Sequence, residues 1–585
     1  MAVSPSLKTP LTGSGLRRYL PFLNWLLHYR RDDLPSDLVA GLVTAIMLIP
    51  QSMAYAQLAG LPPQIGLYAS VAPLAVYALL GTSGQLSVGP VAITSLAVFA
   101  GVSALAEPGS PRYLELVLLL AFIVGMVKLL LGVLRLGFLM NFVSHPVLAG
   151  FTSASALIIA AGQLKYLLGY RIEGERFHEV VLSAISGASQ TNPATLAVGL
   201  GSMILLLLFR SWLKPFLQQR TRLPSAAVTL IVSGAPLLTV VLGILAAWLW
   251  RLNETAGVRV VGAIPQGFAP FTLPSLSIAD AQALMPTALT IVFISVVESI
   301  AVARALASKR RKAIDPDQEL VALGAANVTA SITGGYPVTG GFARSVVNDQ
   351  AGAVTGLASL VTAASIGVIV LWFTPLFYYL PQAVLAATVI VAVLSLFKPG
   401  EALRIWRMNR TDALTWGVTF VVVLLAGIEA GILTGVVFSL ILFLWRTSRP
   451  HIAIVGRVGQ SEHFRNVLRH QVQTCPHVVA VRVDESLYFA NTRYLEDTLL
   501  RIVAERPEVK HLVLIGSAIN FIDASAMETL ESLMHELRAA GVELHLADIK
   551  GPVMDQLQRA GFIAHLGAER VYLSAHQAMQ ALDCG

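Results

Sequence analysis

The chain has 585 residues, of which 55% are hydrophobic and 13% charged. A soluble globular domain carries about 25% charged residues, so a deficit of this size excludes one large water-soluble core and points to lipid. The formal net charge is +7, but residues 451–585 carry a net −4 and the rest a net +11. The basic excess lies in short stretches between apolar segments. That pattern belongs to membrane topology rather than to nucleic-acid binding.

The first 36 residues hold Arg17, Arg18, Arg30, Arg31, Asp32 and Asp33 and lack a short apolar run ending in small residues. They read as a cytoplasmic segment with no cleavable leader. A transmembrane helix needs about 20 apolar residues. Apolar segments recur from Leu38 to Trp445 and then stop. The clusters between them are Arg17 to Arg31, Lys128 with Arg135, Arg210 to Arg222, Lys309 to Lys312, Lys398 to Arg410, and Arg446 with Arg449. If every cluster faces the cytoplasm, an even number of crossings must separate each from the next.

The segments satisfy that parity. Four lie near 38–55, 66–80, 91–103 and 114–134, two near 143–163 and 194–209, and two near 225–250 and 283–307. Four more lie near 318–333, 344–352, 354–374 and 381–397, and two near 412–428 and 430–445. The third and tenth are short or Gly-rich, preceded by Gly81 to Pro90 and by Thr333 to Gly341. Interrupted segments at matching places in two halves mark a transporter's binding site. Fourteen segments split into seven and seven. An odd repeat inverts the second copy, so two half-helix N-termini would face each other near the midplane, a geometry suited to an anion.

Beyond residue 450 the pattern changes. Val478 to Val483, His511 to Ile515 and Val542 to Ala547 read as strands. Thr492 to Val503, Ala524 to Leu537 and Val553 to Ala560 read as amphipathic helices. This alternation predicts a small α/β domain on the cytoplasmic side. The expected domains are a 1–36 cytoplasmic segment, a 37–448 transmembrane domain and a 449–585 soluble domain. Cys475 and Cys584 are far apart in the chain and read as ordinary thiols in a reducing compartment. Nine of the twelve histidines fall in this last part, without metal-ligand spacing.

Several motifs carry a family resemblance. Pro50-Gln51-Ser52-Met53-Ala54-Tyr55-Ala56, with Ala59-Gly60-Leu61-Pro62-Pro63 and Gly66-Leu67-Tyr68, resembles the first signature of the SulP anion transporters, relatives of prestin and pendrin. Ser87-Val88-Gly89-Pro90 and Gly341-Phe342-Ala343-Arg344-Ser345 resemble the family's approaches to helices 3 and 10. The C-terminal part resembles a STAS domain. The resemblance covers the chain from about residue 17 onward. It implies an α-helical membrane protein of two inverted seven-helix repeats, with helices 1–4 and 8–11 as a core and helices 5–7 and 12–14 as a gate. It also implies a homodimer and an elevator-like movement.

Candidate site residues follow. Gln51 is a neutral amide that can donate to an anion without a buried charge, and the family's matching Gln lines its anion site; otherwise it is a helix-helix contact. Tyr55, one turn on, is a site residue or an ordinary packing aromatic. Val91, Ala92 and Ile93 would contribute backbone N–H groups, and Phe342, Ala343, Arg344 and Ser345 open the second half-helix. Val91 is smaller than the residue several relatives place there, and Ala343 stands where some carry Ser or Thr. Arg344 can engage an oxyanion bidentately or serve a structural pair.

Glu298 is the acid within segment 8. Burial disfavours a charged carboxyl, so it can take up and release a proton, or pair with Arg344. Some relatives use an acid with a Thr one turn later for sodium; Val302 here offers no oxygen, which favours a proton over sodium. Asp523-Ala524-Ser525 matches the loop where anti-sigma antagonists are phosphorylated; Ser525 is otherwise expected as a helix N-cap. No phosphate-binding loop, metal cluster or nucleophile-base arrangement is legible, so neither an enzyme nor a cofactor is expected. The expectation is a multi-pass inner-membrane carrier of a small anion, sulfate first, coupled to protons, with both termini cytoplasmic and a STAS domain open to a protein partner. Bicarbonate or C4-dicarboxylate carriers, and an uncoupled channel or sensor, stay open.

Overall fold

The computed structural model describes residues 20–138, 144–174, 176–213, 216–217, 231–232, 234–394 and 396–584. Arg17, Arg18, most of the 1–36 segment, most of the Arg210 to Arg222 cluster and the start of the 225–250 segment lie outside the described residues. Contacts divide the chain into two compact units, Met1–Val436 and Val437–Gly585.

The first unit is helical. Its main helices are α1 (Leu34–Leu58), α2 (Pro63–Tyr68) and α3 (Ala72–Leu80), then a two-residue strand β1 (Val88–Gly89) and α4 (Ala92–Ser103). Next come α5 (Pro111–Val133), α6 (His145–Gly162), α7 (Pro193–Leu208), α8 (Ala235–Leu249), α9 (Ile278–Lys309) and α10 (Pro316–Ile332). A second two-residue strand, β2 (Thr339–Gly340), leads into α11 (Phe342–Gln350), followed by α12 (Leu357–Val368), α13 (Gln382–Leu394), α14 (Arg410–Ala426) and α15 (Ile428–Thr447). Among the described residues, nine helices are long and apolar enough to cross a membrane. Many large apolar side chains on α7, α8 and α15 face outward, among them Ile204, Trp248, Leu249, Leu433, Phe443 and Trp445. In water such a surface would aggregate; in lipid it is the solvent-facing side.

Packing interleaves the two halves. Helix α5 lies on α10, α3 on α10, and α1 on α12, joining the expected core helices to each other. Helix α6 lies on α14 and α13 on α7, joining expected gate helices. Small residues set the closest approaches. A Cβ on Gly324 would lie 2.7 Å from the Leu129 amide nitrogen, and one on Gly125 2.7 Å from that of Val328, so α5 and α10 meet backbone to backbone. Polar groups stitch the loops. Asp37, fully buried, accepts from the Val354 and Thr355 amides at 2.7 and 3.1 Å. Glu319 accepts from Tyr77 Oη at 2.7 Å and from the Thr82 and Ser83 amides at 2.7 and 3.1 Å.

One charge is not where the loop reading placed it. Lys128 lies within α5, fully buried, with no hydrogen-bond partner on Nζ. It is therefore a buried group within the helix rather than a residue between segments, and of the two only Arg135 lies beyond the helix end. The sequence alone could not separate the two, because Lys128 is one to two turns from the end of its helix.

The second unit is an α/β domain. Strands β3 (Ile452–Arg457), β4 (Phe464–Asn466), β5 (Val478–Val483), β6 (His511–Ile515), β7 (Glu543–Ala547) and β8 (Val571–Tyr572) form one sheet in the order β4-β3-β5-β6-β7-β8. β3 runs antiparallel to both its neighbours, and β5 to β8 are parallel. Helices α16 (Thr492–Ala504), α17 (Ala524–Ala539) and α18 (Gly551–Arg559) cover one face, and α19 (Ala575–Ala581) covers the other.

Two sequence expectations fail here. Asp523, not Ser525, caps α17: its Oδ1 accepts from the Ala526 amide at 2.8 Å, and Ser525 is an exposed residue of the first turn. Cys475 and Cys584 are not separate thiols; the fold joins them as a disulfide with Cα atoms 5.8 Å apart. Separation along the chain says nothing about distance once the sheet brings the start of β5 beside the residues after α19.

Candidate anion-binding site

The geometry begins with two strands of two residues each. β1 and β2 pair antiparallel, Val88 opposite Gly340 and Gly89 opposite Thr339. Each runs directly into a helix, β1 into α4 and β2 into α11. The crossing thus points two helix N-termini at one region from opposite directions. The Val91 N-cap and the Gly341 N-cap are both extended, and neither start carries a side-chain cap. The first N–H groups of both helices therefore lack intrahelical partners, and each end carries about half a positive elementary charge.

The crossing is held by hydroxyls and backbone. The Ser87 amide donates to Ser345 Oγ at 2.9 Å, and Ser345 Oγ donates to the Gly341 carbonyl at 2.7 Å. The Gly341 amide donates back to the Ser87 carbonyl at 3.1 Å. From α9, Ser299 Oγ accepts from the Gly340 amide at 2.9 Å and lies 2.8 Å from Thr339 Oγ1, which donates to the Ser295 carbonyl at 3.0 Å. Asn327 of α10 brackets Val338, accepting from its amide and donating to its carbonyl, both at 2.9 Å.

Arg344 is 1% exposed. Its Nη1 donates to the Pro90 carbonyl and its Nη2 to the Thr339 carbonyl at 3.5 Å, so one guanidinium ties the two halves together. Its Nε is buried with no partner. Two glycines make room for the group: a Cβ on Gly341 would stand 2.9 Å from Nη2, and one on Gly89 3.5 Å from it.

Helix α1 packs against both α4 and α11 and brings Gln51 and Tyr55 to the same place. Gln51 Nε2 donates to Tyr55 Oη at 2.8 Å, and Gln51 Oε1 is buried without a partner. Tyr55, Tyr336 and Glu298 all lie near enough to Arg344 to feel its charge. Tyr336 Oη in turn lies 2.9 Å from Ser95 Oγ of α4. Glu298, on α9, is partly buried, and its Oε2 has no hydrogen-bond partner. It makes no ion pair with Arg344 within the 4.0 Å that defines one.

The fold therefore gathers Gln51, Tyr55, Val91, Ala92, Ile93, Glu298, Arg344 and Ser345 around one crossing. Val91, Ala92 and Ile93 are buried, whereas Phe342 (57% exposed) and Ala343 are exposed at the start of α11. Ser345 spends its hydroxyl on the crossing itself. Sequence reasoning missed Ser95, Ser299, Tyr336 and Thr339. The signal for one pair was present: Ser295 and Ser299 stand four apart in an apolar segment, the spacing of one helix face.

Known proteins resemble this chain in sequence and in fold. A model of the sulfate permease family matches residues 34–419, and one of the STAS domain matches residues 469–578. The chain is 37% identical over 573 residues to the protein named sulfate transporter 4.1, chloroplastic, of Arabidopsis thaliana, spanning 96% of this chain and 82% of that one. It is 32% identical over 555 residues to a protein named as a probable sulfate transporter of Mycobacterium tuberculosis, spanning 94% and 96%. The fold matches the murine anion transporter Slc26a9 with a TM-score of 0.89 at 24% identity, over 99% of this chain and 97% of that one. The transmembrane domain of the cyanobacterial bicarbonate transporter BicA matches at 0.57 and 20% identity, over 70% and 98%. This chain is a multi-pass membrane protein of the sulfate permease family, an anion transporter with a C-terminal STAS domain and not an enzyme.

Proposed function

We propose that this chain is a secondary active carrier of a small oxyanion, with sulfate the preferred substrate and a proton as the coupled ion. The crossing of β1 and β2 carries the reading. It aims two uncapped helix N-termini at one place, beside a neutral amide, a phenol and a buried guanidinium. An oxyanion there would meet N–H donors from Ala92 and Ile93 on one side and Phe342 and Ala343 on the other. Gln51 adds donors without charge, and Arg344 fixes a positive field while bracing the crossing. The relatives' names favour sulfate over bicarbonate or C4-dicarboxylates.

Glu298 is the coupling residue of this proposal. Its unpartnered Oε2 near Arg344 makes its protonation state sensitive to whether an anion sits between them, which links proton and anion occupancy. Val302, one turn on, brings no oxygen for sodium. Fourteen spans, cytoplasmic termini in an inner membrane, a homodimer and an elevator-like movement of the core helices against the gate helices belong to the same proposal. So do the 37–448 and 449–585 domain limits, and the exposed Ser525 as a modifiable residue on a STAS surface that receives a cytoplasmic partner.

The first test is binding. A ligand that binds the folded state raises its apparent stability. Purified protein should show a larger thermal shift with sulfate than with bicarbonate, fumarate or chloride. A shift with chloride alone would sink the oxyanion assignment. In proteoliposomes, saturable uptake stimulated by anion on the far side marks a carrier, whereas current that scales linearly with voltage marks a channel.

A further inference from the structure

The STAS unit contains a second cluster that anion transport does not use. Cys475 precedes β5, His477 stands two residues later, and Cys584 follows α19. His477 Nε2 lies 3.3 Å from Cys584 Sγ and 3.7 Å from Cys475 Sγ. All three donor atoms fall within 4.8 Å of one another, and all three residues are half-buried against the sheet face covered by α19. Zinc bonds of about 2.3 Å to sulfur and about 2.1 Å to nitrogen, at the tetrahedral angle, place sulfur and nitrogen about 3.6 Å apart. The two nitrogen-sulfur distances bracket that value.

We propose that Cys475, His477 and Cys584 form a binding site for a thiophilic divalent cation of the zinc class, closed by the disulfide and opened by its reduction. Two small thiols of the glutathione class supply the electrons. Their sulfurs join as a new disulfide, and Cys475 and Cys584 each keep one of their protons. The cation then displaces both protons and binds two thiolates, with the neutral imidazole, protonated on Nδ1, giving its Nε2 lone pair in exchange for its 3.3 Å contact with the Leu582 carbonyl. A cysteine pair with an adjacent histidine is more often a metal or redox site than a structural disulfide in a cytoplasmic domain, which accords with the orientation proposed above. The chemistry does not depend on that orientation.

A second cluster, His511, Glu543 and His545, is a weaker candidate. Its carboxylate already holds Arg570 at 2.9 Å, and it offers no sulfur. That difference allows a clean test with cobalt, whose bonds to thiolate give a charge-transfer absorption that nitrogen and oxygen ligands do not.

Full-length protein in detergent is reduced with a small thiol, stripped with a chelator, and titrated with Co2+. The expected result is a sulfur-to-cobalt band that saturates at a single equivalent and is bleached by Zn2+. Oxidised wild-type protein, which needs no substitution, should show no such band. Cys475→Ser and Cys584→Ser should each lose the saturating two-thiolate signal, and His477→Ala should weaken binding at least about tenfold. Absence of the band in reduced, monodisperse protein overturns the proposal, as does a band that persists in the Cys475→Ser/Cys584→Ser variant. Unchanged affinity in His477→Ala overturns the three-ligand assignment. None of these measurements requires transport, so failure here and failure of the carrier reading are separable.

Discussion

Arg344, in the first turn of the second half-helix, donates to the backbone carbonyl of Pro90, just before the first half-helix. A single buried side chain thereby spans the crossing of the two halves, and the residue most exposed to reading as an anion ligand is also a brace. Arg344→Lys should separate the roles, because it keeps the charge and loses the planar fork. Hydrogen bonds to charged groups are worth about 1.5–3 kcal/mol, so sulfate uptake should fall about 10- to 100-fold. Uptake within twofold of wild type would leave only the charge as important.

Glu298→Gln removes the titratable group and keeps the shape of the side chain. Uptake driven by an imposed pH gradient should lose its proton dependence, while sulfate binding by thermal shift stays measurable. Proton dependence that survives in this variant would remove Glu298 from the coupling step.

Gln51 and Tyr55 form one hydrogen-bonded unit at the site. A neutral hydrogen bond contributes about 1 kcal/mol net, or about fivefold. Gln51→Ala should raise KM for sulfate by about that factor with little change in kcat. Tyr55→Phe should have the smaller effect, since Gln51 keeps its donors. The comparison is made by initial rates in proteoliposomes.

Gly66 tests how tightly α2 seats on α1. A Cβ there would lie 2.0 Å from the Ser52 carbonyl oxygen, which is backbone and cannot step aside. Overpacking costs about 1–3 kcal/mol, so Gly66→Ala should lower the melting temperature in detergent. Gly201→Ala is the control, since nothing lies within 4 Å of the added carbon.

His545 makes the STAS unit acid-sensitive. Burial, with His511 alongside, pushes its pKa from 6.5 down to about 4. The folded state therefore binds this proton less readily than the unfolded state. Stability from this group is complete above pH 6.5 and is lost as pH falls towards 4. Hydrogen exchange across β6 and β7 in the full-length protein should speed up through that window, and His545→Gln should flatten the response.

The apolar periodicity and the spacing of basic residues made the membrane fold legible, because a bilayer leaves few choices for backbone hydrogen bonds. Each segment expected from residue 38 to 445 overlaps helix where residues are described, with 66–80 divided between α2 and α3. The motifs also named Gln51 and Arg344, and Glu298 stood out as an acid within an apolar segment. What they did not contain was the partner of each. That Arg344 braces Pro90 and that Ser299 holds the Gly340 amide depend on residues 254 and 41 positions apart, whereas Gln51 and Tyr55 stand one helical turn apart on a single helix.

Lys128, Ser525 and the cysteines mark the same boundary from the other side. Composition placed a lysine near a helix end, but packing of α5 buried it. A Ser in a DAS triplet looked like a cap, but the backbone angle at Asp523 put the cap two residues earlier. Two cysteines separated by 109 residues looked unrelated until the sheet closed. Sequence alone determined which stretches are solvated by lipid and which by water, since that depends on local composition summed over a turn or a strand. Tertiary structure alone decided which polar groups of distant segments share a site, because hydrogen bonds act over about 3 Å and chain order does not say which distant segments meet at that range.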